Sequence, residues 1–464
     1  MVFSSLEFIL IFMPIFFGCY YLVPASAKNI ILLLGSLAFY LIGTINNPEH
    51  FMLLIVSIIV DYMLGIYMER RPMHKGKLLV LGICYHIISL GTFKYLGFIA
   101  GEIGHFVPGL TWAQNIVLPI GISFYTFQGL SYVADVYRGK VNAEKSLLKF
   151  AAYISMFEQL IAGPIVTYDR VKNELNCREV FLAEVLKGLA TFVFGLGLKV
   201  LLANPIGKLW MQVCAIGFES ISTPLAWMGV FAFSLQLYFD FFGYSLMAIG
   251  LGQMMGFKLP KNFDHPYISC TMTEFWRRWH ITLGEWFKEY VYIPLGGNRD
   301  GALSTVNNLL FVWLLTGIWH GAGYNFILWG LLLFGIIILE KFVIGDFLNR
   351  VPIIGHAYMI VLIPTTWAVF AVESMDKLET LFMRMFPFFG ESMWSVFRFD
   401  YVKYWNMYWP FFIAGVLFST KLPYEIYRKI KSPKIIVLAS AIIFVACLYC
   451  IFKGFDDPFL YFRF

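Results

Sequence analysis

Apolar runs of about eighteen residues or more, long enough to cross a hydrocarbon core of roughly 30 Å, recur from one end of this 464-residue chain to the other. That recurrence leaves little choice of fold. In lipid, every backbone N–H and C=O must be satisfied within its own segment or in a closed barrel, so runs of this length become helices. Composition agrees: 59% of residues are hydrophobic and 14% charged, against about 45–50% and 25% in soluble domains. The chain reads as an all-α polytopic membrane protein, one integral-membrane domain over 1–464, with the lipid bilayer as solvent and no nucleic-acid partner. Its first run, 6–23, has no basic n-region or small-residue cleavage site and reads as a retained span.

Loop charge orients the spans. Basic clusters at 69–77, 138–149, 170–187, 258–299 and 421–434 belong in the cytoplasm by the positive-inside rule. Spans are then expected near 6–23, 30–45, 51–68, 78–98, 116–134, 188–202, 224–250, 304–319, 325–341, 357–372, 409–419 and 435–451. Both termini fall outside. Segment 150–166 is apolar but broken at Gly163-Pro164, and parity makes it re-entrant from the cytoplasmic face. A shorter apolar stretch around Trp210 is expected to lie in the interface. Of seven cysteines only Cys447 and Cys450 form a C-x-x-C; inside an apolar run this reads as helical packing, and nothing requires a disulfide or a metal. There is no P-loop, H-E-x-x-H, G-x-S-x-G or internal repeat.

Two tryptophan–histidine pairs carry the chemistry, Trp279-His280 and Trp319-His320. An ionisable group held at membrane depth costs roughly 2–3 kcal/mol by insertion scales, so it is a functional-site candidate by default. In 315–324, Gly317, Gly321 and Gly323 strip side chains from the backbone around His320. That predicts an accessible imidazole, a natural base toward a hydroxyl at neutral pH. In 271–290, a capping box at Thr271 and Glu274 predicts a helix start. On a 100° wheel Trp276, Trp279, Leu283, Trp286, Phe287 and Tyr290 share one face, opposite Arg277, Arg278, Glu285, Lys288 and Glu289. This is an interfacial amphipathic helix. Asp240, alone in an uncharged run, is expected to pair with a donor, an arginine of that helix being one candidate. Asp61 reads the same way, and Glu158 and Gln159 are placed to line a re-entrant cavity.

These segments resemble the membrane-bound O-acyltransferases, in the alginate O-acetylation (AlgI) branch, with teichoic-acid D-alanylation proteins (DltB) as cousins. The resemblance rests on MVFSSLEFILIFMPIFFGCYYL at 1–22, QLIAGPIV at 159–166, YFDFFGYSLMAIGLGQMMGF at 238–257, FWRRWHITLGEWFKEYVYIPLGGNR at 275–299 and GIWHGAGYNFILWG at 317–330. It implies a ring of about 11–12 tilted helices with re-entrant and interfacial segments, a catalytic core at about 150–345, and a multi-pass place in the bacterial inner membrane. By resemblance His320 and His280 are the catalytic histidines, with Tyr238, Asp240, Gln159, Trp279 and Trp319 around the donor and acceptor cavity. The implied reaction takes an acetyl group from acetyl-CoA, a substrate and not a bound cofactor, to a hydroxyl of a polysaccharide. An extracytoplasmic SGNH-type transferase is the implied partner. Glu158 and Leu246 stand where the branch often has Pro and Asp. Rival readings are D-alanyl transfer from an acyl carrier protein, a non-catalytic polysaccharide export subunit, and a metalloenzyme using His280, His320 and Asp240, whose spacing matches no known metal motif.

Overall fold

The computed structural model describes residues 1–104, 108–161, 163–389, 398–430 and 432–454; Ala162 of the broken segment lies outside the described residues. Among these, the chain is helical and contains no strand. In chain order the principal helices are α1 Phe8–Leu22, α2 Ala25–Gly43, α3 Pro48–Arg70, α4 Pro72–Ile103, α5 Ile122–Arg138, α6 Leu147–Ser155, α7 Phe157–Leu160, α8 Tyr168–Asn176, α9 Leu182–Ile216 and α10 Thr223–Met254. There follow α11 Met272–Arg278, α12 Ile281–Phe287, α13 Gly301–His320, α14 Tyr324–Arg350, α15 Pro352–Ala371, α16 Met375–Met385, α17 Asp400–Ser419, α18 Leu422–Lys429 and α19 Pro433–Phe452.

Nine of the helices among the described residues are long and apolar enough to cross a membrane: α2, α3, α4, α9, α10, α13, α14, α15 and α19. The other three expected spans are also helical. However, α1 is short, α5 has 17 residues and ends on Asp135 and Arg138, and α17 opens on Asp400 and Lys403. One expectation changes. The stretch around Trp210 is not a separate interfacial piece but the continuation of α9, and Trp210 is buried. Helix α19 is the opposite case: Ile435, Leu438, Ile442 and Val445 are all exposed, as lipid-facing residues are.

The chain divides into two compact units, one of Met1–Phe192, Tyr244–Lys261 and Lys288–Tyr290, the other of Val193–Gly243, Asn262–Phe287 and Val291–Phe464. In the first, the broken segment expected at 150–166 falls on α6, which begins earlier at Leu147, and on α7, separated from it by a turn at Met156. Nine residues of helix rise only about 14 Å, less than half a hydrocarbon core. Broken backbone of this kind survives only inside protein, and residues 151–160 are buried throughout. Three of its polar groups find partners there: Phe157 N–H donates to Ser36 Oγ at 3.2 Å, Tyr153 OH to the Val166 carbonyl at 3.0 Å, and Gln128 Nε2 to Gln159 Oε1 at 2.9 Å, whereas the Glu158 carboxylate is buried with no hydrogen-bond partner among the described residues. Nearby, α3, α4 and α5 meet at an Asp61–His86 pair, 2.8 Å apart and buried on both sides. Gly129 of α5 lies directly on it; a Cβ there would be 2.1 Å from Asp61 Oδ2 and 2.8 Å from His86 Nε2.

In the second unit, α9 widens into a π-turn at Leu198–Ala203 just before Pro205, whose missing N–H cannot continue an α-helical ladder. The π-turn carries Lys199, fully buried, with its ammonium 2.6 Å from Asp240 Oδ1 on α10. Asp240 therefore has the donor partner expected of it, a lysine of α9. Gly243 allows the approach, because a Cβ there would sit 2.6 Å from the Gly195 carbonyl and 3.3 Å from Lys199 Cβ.

Two outcomes are expected from these contacts. Gly129→Ala should destabilise the purified protein by about 1–3 kcal/mol through overpacking, read as a lower midpoint of thermal unfolding in detergent. Lys199→Met, which takes the ammonium from beside the Asp240 carboxylate, should cost about 3–5 kcal/mol, while Lys199→Met with Asp240→Leu should recover most of it. A double variant as unstable as the single one contradicts the ion-pair account.

Candidate active site

The amphipathic segment starts as its sequence dictates. Thr271 Oγ1 accepts from the Glu274 N–H at 3.0 Å, while Glu274 Oε2 accepts from the Cys270 N–H at 3.0 Å, one residue before the expected position. The single helix expected over 271–290 is not formed. Helix α11 ends at Arg278, Trp279 is extended, and His280 takes φ +45° before α12 begins. Positive φ is uncommon outside glycine, though histidine tolerates it better than most.

The break is stabilised by a neighbouring stretch at 262–264. Asp264 N–H donates to the Arg278 carbonyl and Ile281 N–H to the Asn262 carbonyl, each at 2.9 Å. These bonds satisfy the Arg278 carbonyl and the Ile281 N–H, which flank the break. The two expected faces persist across the break: Trp279, Leu283, Trp286 and Phe287 are buried, while Arg277, Glu285 and Lys288 are exposed.

Asn262 also fixes the protonation of His280. Its Oδ1 receives the Thr282 backbone N–H at 3.3 Å, the Thr282 hydroxyl at 2.9 Å and His280 Nδ1 at 3.0 Å. A backbone N–H can only donate, so the amide atom it meets is an acceptor, and Nδ1 must carry the imidazole proton. Nε2 is left with its lone pair, buried and with no hydrogen-bond partner among the described residues. Burial pushes this imidazole down to about 3, so it is neutral at physiological pH.

His320 is the last residue of α13 and is buried at 8% exposure, not accessible as its glycine flanks suggested. The space those glycines open is already filled. A Cβ on Gly317 would lie 2.4 Å from the Phe326 carbonyl, and one on Gly330 would lie 2.5 Å from the Trp313 carbonyl, so α13 and α14 cross at backbone contact. The Phe326 ring covers Gly321. Around His320 stand Trp319, Trp329 and Phe370, at ring separations of 4.8, 5.1 and 5.2 Å. Asn325 Nδ2 holds the Phe370 carbonyl at 3.0 Å.

The two histidines share one aromatic wall. Trp319 lies 6.4 Å from the His280 ring, and Trp329 stacks near Trp367 at 5.9 Å, which in turn lies 5.0 Å from Trp279. Phe241 meets His280 edge-on at 4.8 Å. Tyr238 joins the same cluster through Trp279 at 5.9 Å. Of the expected residues, His280, His320, Trp279, Trp319 and Tyr238 thus come together, and Asp240 lies on α10 beside Lys199. Gln159 belongs to the first unit, bonded to Gln128, and Glu158 beside it is fully buried. Sequence reading missed Asn262, Lys199, Trp329, Trp367 and Phe370. Lys199 had a signal, being the single charge in the apolar run 188–207; the others carry none that an isolated segment reveals.

Comparison with known proteins gives the chain a family. The sequence profile of MBOAT, the membrane-bound O-acyltransferase family, matches residues 141–352, which hold both histidines. The chain is 37% identical over 397 residues to a probable alginate O-acetylase AlgI of Azotobacter vinelandii, covering 84% of this chain and 78% of the relative. It is 37% identical over 374 residues to a peptidoglycan O-acetyltransferase of Helicobacter pylori, covering 72% and 69%. A teichoic acid D-alanyltransferase of Bacillus subtilis is more distant, 29% identical over 280 residues and covering 58% and 69%. The chain belongs to the membrane-bound O-acyltransferase family and is a multi-pass O-acyltransferase of the inner membrane.

Proposed function

We propose that this enzyme transfers an acetyl group from a cytosolic thioester, acetyl-CoA, to a hydroxyl on the extracytoplasmic side, for O-acetylation of an exopolysaccharide or cell-wall polymer. The observation that carries this reading is the pair of imidazoles in one buried aromatic wall, in a chain whose relatives are named for acetylating alginate and peptidoglycan. His320 acts as general base. It takes the proton of the acceptor hydroxyl as that oxygen adds to the thioester carbonyl. The tetrahedral intermediate collapses with cleavage of the C–S bond, and the thiolate leaves with the same proton as a thiol. Ester and thiol are formed with no net proton change.

The tautomer of His280 limits the part it can play. A neutral imidazole protonated on Nδ1 offers a lone pair at Nε2 and cannot donate to an oxyanion, so it orients a substrate N–H or O–H instead. Stabilising the oxyanion falls to a backbone N–H beside Gly321. Tyr238, Trp279 and Trp319 wall the substrate path and keep water from the thioester. Asp240 serves through its ion pair with Lys199, and Gln159 supports the broken segment. An SGNH-type transferase outside the membrane receives the acetyl group and passes it to the polymer. A second reading, D-alanyl transfer from a carrier protein, is favoured by the similarity to the Bacillus enzyme.

The deciding experiment measures base-released acetate and D-alanine from surface polymers in a deletion strain. Wild type should restore acetate, and His320→Ala at matched expression should leave it at the deletion level. Restoration of D-alanine alone transfers the assignment to the second reading, and full complementation by His320→Ala removes the base. For His280, whose imidazole stays neutral from pH 5 to 8, His280→Gln should lower the rate about a hundredfold by the same factor across that range. A displaced acid limb in the pH–rate profile contradicts the role given to it.

A further inference from the structure

Helix α11, which delivers Trp279 and His280, is held at its start by a residue from another helix. Glu340 of α14 is buried, and its carboxylate is bidentate to the backbone: Oε1 accepts from the Met272 N–H at 2.6 Å and Oε2 from the Thr273 N–H at 2.8 Å. The Thr273 hydroxyl adds a third bond at 2.7 Å, and Tyr358 of α15 a fourth at 3.2 Å. These N–H groups belong to the first turn of α11, which its own backbone cannot satisfy. A carboxylate is suited to the position because it only accepts and carries the charge that such donors attract.

The same helix frames the other histidine. Trp329, which lies against His320, stands eleven residues before Glu340 on α14. Eleven residues make three turns with only about 20° left over, so the two side chains leave the helix on nearly the same face, about 16 Å apart along the axis. Leu333, Ile336 and Ile337 between them are buried. One face of α14 thus touches His320 at one end and fastens the helix that carries His280 at the other. The opposite end of that helix is fixed by the 262–264 stretch, through Asp264 and Asn262.

We infer that Glu340 is a positioning residue for acyl transfer, setting the place of His280 relative to His320 by clamping α11 onto α14. It touches neither substrate nor imidazole. Its catalytic consequence rests on the function proposed above for His280, whereas its effect on where His280 sits does not. Loss of the clamp releases the first turn of α11 and lets the turn at 279–280 shift.

The test uses the full-length protein in lipid nanodiscs, with diethylpyrocarbonate labelling of each histidine read by peptide mass spectrometry. In Glu340→Gln, one acceptor becomes an amide donor facing a backbone N–H. Labelling of His280 should rise several-fold, while that of His320 and His86 stays at the wild-type rate. The same variant should lose turnover on the order of ten- to a hundredfold, with KM for donor and acceptor little changed. Wild-type labelling of His280, or an equal rise at all three histidines, overturns the inference, the latter meaning general loosening. If His280→Gln proves fully active, the function given to His280 fails, while the labelling result still decides whether Glu340 positions it. Should Glu340→Gln fail to assemble, Thr273→Val removes one donor to the same carboxylate and is scored by the same two outcomes.

Discussion

The interruption of the helix at Trp279 and His280 is the constraint on which the site depends. A continuous helix would keep His280 on the edge of an amphipathic face, its backbone groups spent on the helix ladder. The break swings the residue into φ +45° and hands its neighbours' hydrogen bonds to 262–264. Such conformations persist only where surroundings over-determine them. Here the surroundings are specific: Asn262 offers one oxygen to a backbone N–H, a hydroxyl and an imidazole, and so sets geometry and tautomer together.

The rest of the molecule solves a single problem, that polar groups within lipid-depth segments must find protein partners. It does so pairwise and between helices distant in sequence. Lys199 meets Asp240, His86 meets Asp61, and Gln128 meets Gln159. The first two pairs need close backbone approach, which is why a single methyl group on Gly243 would collide with the Gly195 carbonyl of α9 and one on Gly129 with Asp61 and His86 themselves. Such pairs add little net stability over apolar packing, yet losing one member is costly. They therefore act as registers, fixing which helix faces which.

Much of this was legible in the sequence, and the limits have a physical origin. Spans, the broken segment at Gly163-Pro164, the capping box at Thr271 and both histidines are local patterns of hydropathy, turn chemistry and lone charges. What escaped was set by partners far along the chain. A 100° wheel assumes a continuous helix, and nothing within 271–290 announces that residues 262–264 will compete for its backbone. Asp240 was rightly expected to pair, but choosing Lys199 requires knowing that α9 turns through a π-segment ahead of Pro205. Glu340 sits near the end of an apolar run, where a charge ordinarily marks the membrane surface; its bonds to Met272 and Thr273 give it another meaning. The glycines near His320 were read as opening the site, whereas Phe326 and Gly330 fill the room they leave.

The aromatic wall bears on the proposed mechanism through charge. A base that collects a proton from a hydroxyl becomes cationic for the lifetime of the intermediate, in surroundings that hold little water. Trp319, Trp329 and Phe370 surround His320 at 4.8 to 5.2 Å, within the roughly 6 Å at which an aromatic quadrupole attracts a cation. Any of these rings that presents its face to the imidazole would attract the charge only while it exists, and in the proposed mechanism the wall keeps water from the thioester between turnovers. His280 has no such task in this scheme. Its proton is committed to Asn262, its lone pair is buried with no hydrogen-bond partner among the described residues, and its neutrality means that the site never has to accommodate two positive imidazoles at once. A neighbour held neutral serves such a base better than a second titrating imidazole, because coupling between the two would otherwise make each a poorer base when the other was charged.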